Sequence, residues 1–454
     1  MNTPICYFVR QYMARNALRL HMPGHKGAQN LGPEALDITE IEGADSLYEA
    51  NGIIRESEEN ASFLFGAHTC YSTEGSSQCI RAMVYLAARW ARIHGREPVI
   101  AAGRNAHKAF LSAASLCNCQ VKWLYPEAES SYMSCPISAD KIEQLLSCPE
   151  KPCAVYVTSP DYLGNMVDVA GIAAVCHRHG VLLLVDNAHG AYLKFLPQSR
   201  HPIDLGADLC CDSAHKTLSV LTGGAYLHVS RETDGMLAAE AKNALAMFGS
   251  TSPSYLILQS LDAANQLLET YPARLVSFLP AVDALREALV AHGYCVIGDE
   301  PLKITLCPKS YGYTGKELAA RLDADDMVCE FADPDHVVLM LTPMLGTGVL
   351  HRLREVLLAI PRRAPLTEVA PAFSCPEKVF SPCEVMWLPH EMIPVGESKG
   401  RILAAATVGC PPAVPIVVCG ERIDHAAIER FSYYGIDTCI VVAEQKPDIS
   451  KGSC

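Results

Sequence analysis

The sequence lacks the features that would direct it to a nucleic acid or a membrane. It has no cluster of basic residues, and 37 basic against 50 acidic residues give a net charge of −13, so we expect no nucleic-acid partner. It also lacks the apolar run of a signal peptide and any apolar stretch of membrane-spanning length. We therefore predict a cytoplasmic protein without membrane contact, whose acidity serves solubility.

The 20 cysteines include no C-x-x-C pair and show no regular spacing. Disulfide scaffolds and zinc sites depend on such spacings. We therefore expect reduced cysteines that act as small buried apolar side chains, and no metal site.

The sequence does contain an alternation of strand-like and helix-like segments between about residues 70 and 230. The apolar runs of strand length are PVIAAG, VKWLY, CAVYVTSP, VLLLVDNAHG, ADLCCDS and AYLHVS. Helical patterns such as SSQCIRAMVYLAARWARIHG and VAGIAAVCHRHG lie between several of them. Continuous apolar strands separated by helices predict an α/β fold with a mostly parallel sheet covered by helices on both faces.

The pattern changes after about residue 270. A helix, a strand (KITLCP) and a further helix–strand–turn–strand stretch predict a smaller α+β unit, and proline density rises from residue 361. There we expect two short strands, within RILAAATVG and AVPIVVCG. We therefore divide the chain into an N-terminal segment (1–70), a large domain (71–270), a small α+β domain (271–360) and a C-terminal appendage (361–454).

Polar residues directly follow four of the predicted strands. They occupy positions 104–107, 160–162, 186 and 213–216. In sheets of this kind ligands bind at the carboxyl ends of the strands. These positions therefore predict the site.

Lys216 in CCDSAHKTLSVLTGG has three interpretations. It is a surface lysine, a phosphate-binding lysine, or a lysine that forms a Schiff base with pyridoxal phosphate. The third requires an acid beside the pyridine nitrogen and a cradle for the phosphate.

Candidates for these companions follow other strands. Asp186 ends an apolar strand, where it suits a pyridinium partner as well as it suits capping of the next turn. Gly75, Ser76 and Ser77 begin a helix, where free N–H groups bind an anion, unless the serines simply cap the helix. His107 suits stacking on a ring, acid–base chemistry or a structural hydrogen bond. Together the four features favour a pyridoxal-phosphate site.

These motifs resemble those of the Orn/Lys/Arg decarboxylase family, in its short bacterial form without an N-terminal wing domain. The resemblance covers nearly the whole chain, and the segments that carry it are HMPGHKG (21–27), STEGSSQ, RNAHKAF, DNAHGAY, DSAHKTL, TSPSY (251–255) and VGESKGRILAAATVGCPPAVPIVVCGE. It implies a pyridoxal-phosphate enzyme of fold type I, the aspartate aminotransferase fold, that is at least a homodimer.

The resemblance also implies roles for single residues. Lys216 would be the Schiff-base lysine, Asp186 the partner of the pyridinium, and His107 the residue stacked on the ring; either Lys216 or His107 would deliver the proton to Cα. The other implied cofactor contacts are Gly75, Ser76, Ser77, Ser213 and His215 around the phosphate, His189 near the ring edge, and Thr251 from across the subunit boundary.

The sequence departs from the family pattern at four positions. Glu74 replaces an asparagine of the phosphate loop, Asn187 a glutamate, Cys410 a tyrosine and Ala413 a glycine. The last two alter the substrate end of the expected site.

The activity that the resemblance implies is decarboxylation of arginine, lysine or ornithine to the amine and CO₂. A cationic side chain requires an acid in its pocket. Glu40, Glu42 and Asp45 are candidates, although each also suits a solvated loop.

Other functions stay open at this stage, because a fold does not fix a reaction. They are an aminotransferase, lyase or racemase reaction, decarboxylation of a non-standard amino acid, and a non-catalytic regulatory relative. Polyamine supply, acid tolerance and specialised biosynthesis are open as physiological roles.

Overall fold

Sheets of seven, four and two strands organise the chain in the computed structural model, which describes residues 1–127, 131–373, 375–405 and 412–444. The strands are β1 His68–Ser72, β2 Val99–Gly103, β3 Gln120–Leu124, β4 Ala154–Thr158, β5 Leu182–Asp186, β6 Leu209–Asp212, β7 Ala225–Val229, β8 Val296–Ile297, β9 Lys303–Leu306, β10 Phe331–Ala332, β11 Val337–Met340, β12 His390–Pro394 and β13 Thr438–Val442.

Helices cover these sheets. They are α1 Pro4–Ala14, α2 Ile53–Phe65, α3 Gly75–Ile93, α4 Lys108–Leu116, α5 Ala139–Leu146, α6 Val169–Arg178, α7 Ala214–Thr217, α8 Gly235–Ala246, α9 Tyr255–Leu268, α10 Tyr271–His292, α11 Gly315–Asp323, α12 Thr347–Ala359, α13 Pro382–Met386 and α14 His425–Tyr433. No helix of the described ranges, the 22-residue α10 included, has the length and apolar character needed to cross a membrane.

The seven-stranded sheet has the strand order β1-β7-β6-β5-β4-β2-β3. The five strands from β6 to β3 run parallel, and β7 is antiparallel to both of its neighbours. The predicted α/β class, the mostly parallel sheet and its six predicted strands are confirmed. Strand β1 was not predicted, because HTCYS is too polar to form an apolar run.

Helices α3, α4 and α8 cover one face of this sheet, and α5 and α6 cover the other. The predicted apolar face of α3 is buried at Ile80, Met83, Val84 and Ala87. The central strands are apolar throughout because helices cover both faces of the sheet.

The register aligns the carboxyl ends of the central strands. Thr158, the last residue of β4, lies opposite Asp186, the last residue of β5. Asp186 in turn lies opposite Cys211 of β6. The residues that follow these strands therefore meet at one edge of the sheet.

The four-stranded sheet, in the order β10-β11-β9-β8, is antiparallel. It contains the strands predicted within KITLCP and after α11, and α10 and α12 pack against each other beside it. The division of the chain into four stretches stays a prediction.

The prediction of two strands near the C-terminus is wrong for the residues that the structure describes. Residues 413–420 form a loop instead of a strand, because the guanidinium of Arg104 donates to the carbonyl oxygens of Pro415 and Ile416, both at 3.1 Å. Within RILAAATVG, residues 402 and 403 form isolated bridges, and residues 406–409 lie outside the described residues. The strands of this region are β12 and β13, which the sequence analysis missed.

We expect loss of the Arg104 side chain to destabilise the protein strongly. Arg104 forms a buried ion pair with Glu421 at 3.0 Å, and both side chains are 3% exposed. Arg104→Met leaves an uncompensated carboxylate and should lower the free energy of unfolding by about 3–5 kcal/mol. The control is Arg422→Met, which breaks an exposed pair with Glu377 and should cost at most about 1 kcal/mol. Equal losses in urea titrations would contradict this account.

Candidate active site

A cavity of about 230 Å³ lies at the carboxyl ends of the central strands. Seven residues singled out from the sequence line it, namely Ser76, Asn105, His107, Tyr162, Asp186, His189 and Lys216. They come from five separate segments that the register of the sheet brings together.

Asp186 is 2% exposed and is held by neutral donors. Its carboxylate accepts hydrogen bonds from the Tyr156 hydroxyl at 3.0 Å, from the Ala188 N–H at 3.2 Å and from the Cys211 thiol at 3.6 Å. Neutral donors do not cancel the negative charge of this buried carboxylate, so Asp186 favours a cation within the cavity. The turn-capping alternative accounts for only the Ala188 contact.

Lys216 lies on α7, directly after β6, and its Nζ is 3.0 Å from Nε2 of His189. The other ring nitrogen of His189, Nδ1, is 3.2 Å from Nζ of Lys303. Burial and the two lysines lower the pKa of His189 well below its ordinary value. The imidazole is therefore neutral at physiological pH.

His107 is the N-cap of α4, and its Nδ1 accepts the Ala109 N–H at 3.0 Å. This is the structural hydrogen bond that one interpretation of the sequence allowed, and the same ring also lines the cavity. Burial is the main cause that lowers the pKa of His107 to about 4. Its free nitrogen, Nε2, therefore carries the single proton of a neutral ring.

The start of α3 lies close to Ser213 and His215, and we call this group of residues the α3 cradle. Gly75 has a φ of +70°, and a Cβ there would lie 4.0 Å from Cε1 of His215. The Ser213 hydroxyl donates to Oγ of Ser76 at 2.7 Å, and His215 Nδ1 is 3.0 Å from the Gly224 carbonyl. Burial lowers the pKa of His215.

The serine-capping alternative for this segment is wrong. Glu74 is the N-cap of α3, and its side chain makes no capping hydrogen bond. Its carboxylate instead accepts the backbone N–H of Ser250. The acid that replaces the family's asparagine is thus engaged by a different loop.

Asn187, at a position where the family has glutamate, contacts a buried carboxylate. Its amide donates to Oδ1 of Asp212 at 2.7 Å, and Oδ2 of Asp212 is 3.1 Å from Nε2 of both His201 and His228. Burial opposes ionisation of Asp212, but the two histidines hold its pKa below the ordinary value. A glutamate at position 187 would set a second carboxylate against Asp212.

Several predicted residues do not line this cavity, among them Gly75, Ser213 and His215 beside it. Ser77 lines a neighbouring cavity together with His107, and Thr251 is exposed. Of the candidate pocket acids, Glu40 and Glu42 are exposed and Asp45 is buried, and none lines the cavity.

Asp45 has a structural role, which corrects its assignment to the pocket. Its Oδ2 accepts the N–H groups of Gly52 and Ile54, at 2.8 and 3.1 Å, where α2 begins. Of the departures at the substrate end, Cys410 lies outside the described residues. Ala413, where the family has glycine, has a φ of +57° and precedes Val414, which lines the cavity.

Glu330 and Lys303 were not predicted from the sequence, whereas Tyr162 lies at one of the positions singled out after β4. Glu330 and Tyr162 line the cavity, and the Tyr162 hydroxyl donates to Glu330 at 2.8 Å. Lys303 begins β9 and is 3% exposed. Lys303 could have been found from the sequence, because a lysine at the start of an apolar strand is as unusual as an aspartate, such as Asp186, at the end of one. Glu330 has no such local signal.

Pyridoxal phosphate fits the residues of this site. Thr158 lines the cavity, and its buried Oγ1 has no hydrogen-bond partner within the described part of the chain. Asp186 would hold the ring nitrogen, the α3 cradle would hold the phosphate, and Lys216 would hold the aldehyde carbon.

Comparison with known proteins places the chain among decarboxylases. A family model described as Orn/Lys/Arg decarboxylase, major domain, matches residues 3–278. An uncharacterised protein of Bacillus subtilis, YaaO, is 29% identical over 468 residues, which cover 95% of this chain and 94% of that protein. An arginine decarboxylase of B. subtilis is 28% identical over 467 residues, which cover 95% of this chain and 92% of that protein.

Solved structures agree on the fold. The lysine decarboxylase LdcF of Francisella novicida has a TM-score of 0.77 at 17% identity, over 98% of this chain and 80% of that one. An alanine–glyoxylate aminotransferase from Nostoc has a TM-score of 0.52 at 16% identity, over 67% of this chain and 85% of that one. These likenesses establish fold type I of the pyridoxal-phosphate enzymes. The family model matches more than half of the residues of this chain. The chain therefore belongs to the Orn/Lys/Arg decarboxylase family and is a pyridoxal-phosphate-dependent amino-acid decarboxylase.

Proposed function

We propose that this decarboxylase acts on a basic L-amino acid, namely arginine, lysine or ornithine, and releases the amine and CO₂. The observation that carries the proposal is the carboxylate of Glu330, which lines the same cavity as Lys216 and Asp186. The names of the relatives, arginine decarboxylase and lysine decarboxylase, support it.

The chemistry of the cavity favours a cationic side chain beside Glu330. Apolar residues such as Ile80, Met133 and Val414 form much of the remaining wall. A cation enters such surroundings at low cost only when it meets an acid. A carboxylate also accepts two parallel hydrogen bonds from a guanidinium, or one from an ammonium.

Bound pyridoxal phosphate supplies an electron sink for the bond that breaks at Cα. In this proposal Lys216 binds the cofactor and Asp186 keeps its ring nitrogen protonated. Gly75, Ser76, Ser77, Ser213 and His215 hold the phosphate, and Thr251 reaches it from a second subunit.

Lys216, rather than His107, is the proposed proton donor to Cα, once its amine has taken up the proton that the substrate ammonium gives up on binding. With a pKa of about 4, His107 has no extra proton to give at neutral pH. Its Nδ1 is also occupied by the Ala109 N–H. A neutral, flat imidazole suits stacking on the cofactor ring, whereas Lys216 contacts His189, which lies beside a second lysine.

We also propose that the chain forms a homodimer. Large apolar side chains in and beside HMPGHKG are well exposed, among them Leu18 and Leu20, which are 83% and 85% exposed, and Leu31 at 91%. A second copy of the chain would cover this surface and would bring Thr251 to the neighbouring site.

Borohydride reduction should fix the cofactor on Lys216. Peptide mapping by mass spectrometry should find the adduct on the peptide that contains residue 216, and Lys216→Ala should abolish it. Lys194→Ala, which removes a lysine paired with Asp204, is the control and should leave the adduct in place. An adduct on a different lysine in the unaltered protein would contradict the assignment.

Glu330→Gln should reduce kcat/KM for basic substrates by about 10- to 100-fold, because it removes a charged hydrogen bond. Rates with the neutral analogues citrulline and norleucine should change little. Glu40→Gln and Glu42→Gln, which alter exposed loop acids, are the matched controls. The proposal fails if the unaltered enzyme uses the neutral analogues as well as the cations.

Stability of the cofactor-free protein should fall on acidification, in part through His107. The unfolded chain takes up a proton near the ordinary pKa of 6.5, and folded His107 only near pH 4. From pH 7 to pH 5 this difference should remove about 2 kcal/mol of unfolding free energy. His107→Gln should lose that part of the pH dependence, and His351→Gln, an exposed control, should keep it. Identical pH slopes in urea titrations of all three proteins would refute this.

Sedimentation should give a mass of at least twice 49.2 kDa. Leu18→Asp with Leu20→Asp should weaken the association, while Val369→Asp, at another exposed apolar position, should not. A fully active monomer is the contrary result.

A further inference from the structure

The imidazole of His189 lies between two lysines. Nε2 is 3.0 Å from Nζ of Lys216, and Nδ1 is 3.2 Å from Nζ of Lys303. His189 is 5% exposed and Lys303 is 3% exposed. Water is therefore a minor partner for these nitrogens, and the proton positions follow from the three side chains and their neighbours.

The hydrogen-bond donors and acceptors available limit the protonation states that Lys216, His189 and Lys303 can adopt together. A neutral imidazole has one N–H and one acceptor nitrogen, whereas an ammonium only donates. Two ammonium groups cannot both be satisfied by one neutral ring. One of the two lysines is therefore a neutral amine when both contacts form.

The surroundings identify Lys303 as the ammonium. Its Nζ lies 3.2 Å from the Asp161 carbonyl and 3.4 Å from the Tyr162 carbonyl, so with His189 Nδ1 it has three acceptors for three N–H groups. Burial lowers the pKa of Lys303, and the nearby carboxylates of Glu300 and Asp161 act in the opposite direction.

The backbone leaves room for this arrangement. Lys303 begins β9, and a Cβ at Gly164 would lie 3.2 Å from Cδ of the lysine. Gly164 has a φ of +85°, which glycine tolerates best. The loop after β4 therefore closes over the Lys303 stem and supplies the carbonyl oxygens of residues 161 and 162.

We propose that Lys303 is a positioning residue that holds His189 in the tautomer with its proton on Nε2. The N–H then points at Lys216 and, before substrate binds, keeps its amine in the neutral form. A neutral amine is the form that attacks an aldehyde carbon, where a C=N bond forms and the carbonyl oxygen leaves as water. The inference rests on the proposed role of Lys216 as the cofactor-binding lysine.

Other titratable groups lie beside Lys216, His189 and Lys303. They act as a fixed background in the comparison of variants, since none of them is changed. They are Asp186 at the end of β5, His107 before α4, His215 on α7, Asp161 and Tyr162 after β4, Glu300 before β9 and Glu330 before β10.

The test follows the reactivity of Lys216 with acetic anhydride against pH, in the full-length protein after removal of the cofactor. Mass spectrometry of the Lys216 peptide gives the midpoint of its titration. Lys303→Met should raise that midpoint by about one pH unit, so that labelling at pH 7 slows about tenfold. Lys303→Arg, which keeps the charge and the donors, should stay near the unaltered protein. Lys194→Met is the control lysine and should cause no shift.

A second variant covers the case in which Lys303→Met does not fold. His189→Phe removes the link itself and should raise the Lys216 midpoint in the same direction. In the cofactor-bound protein, the pH midpoint of the visible absorption band should rise with it. Unchanged midpoints in both Lys303→Met and His189→Phe, or equal shifts in Lys303→Met and Lys194→Met, would overturn the inference. A borohydride adduct on another lysine would instead overturn the proposed role of Lys216, and labelling of Lys216 distinguishes the two failures.

Discussion

The buried carboxylate of Asp186 is the constraint on which the rest of the site depends. Ionised carboxylates are costly to bury unless donors or cations compensate them. The strand register sets Asp186 beside Thr158 and Cys211, and the Cys211 thiol is one of its hydrogen-bond donors. Because β6 is followed at once by α7, the same register also brings Lys216 to this edge of the sheet. The strand register thus brings two groups to the same edge of the sheet. One is the carboxylate that favours a cation, and the other is the lysine that would bind the cofactor.

The four-stranded sheet region adds charges of both signs to this frame. Glu330, just before β10, adds a carboxylate to the cavity wall, and Lys303, at the start of β9, reaches His189. Tyr162 links the two, since its hydroxyl donates to Glu330 and its carbonyl oxygen faces the Lys303 ammonium. In our account the large sheet holds the cofactor, and these two residues set the substrate charge and the proton state of Lys216.

The sequence was sufficient for the parts of this arrangement that have a local signal. Apolar runs predicted six strands of the large sheet, and the polar residues after them predicted Lys216, Asp186 and His107. Strand β1 was missed because its residues are polar, and β12 (HEMIP) because it contains no continuous apolar run. Strand β13 (TCIVV) has an apolar run that was overlooked. The apolar run at 413–420 forms no strand, because Arg104 donates to its carbonyl oxygens. Glu330 was missed because its place in the cavity depends on how separate elements pack. Asp45 was one of three loop acids considered for the pocket, yet its carboxylate binds N–H groups where α2 begins.

The central claim, that Asp186 holds the cofactor ring nitrogen in its protonated form, is tested most directly by ¹⁵N NMR. The protein is loaded with pyridoxal phosphate labelled at that nitrogen, and its chemical shift is compared between the unaltered protein and Asp186→Asn. The account predicts the shift of a protonated ring nitrogen at neutral pH in the unaltered protein and that of an unprotonated nitrogen in the variant. The same shift in both proteins would contradict it.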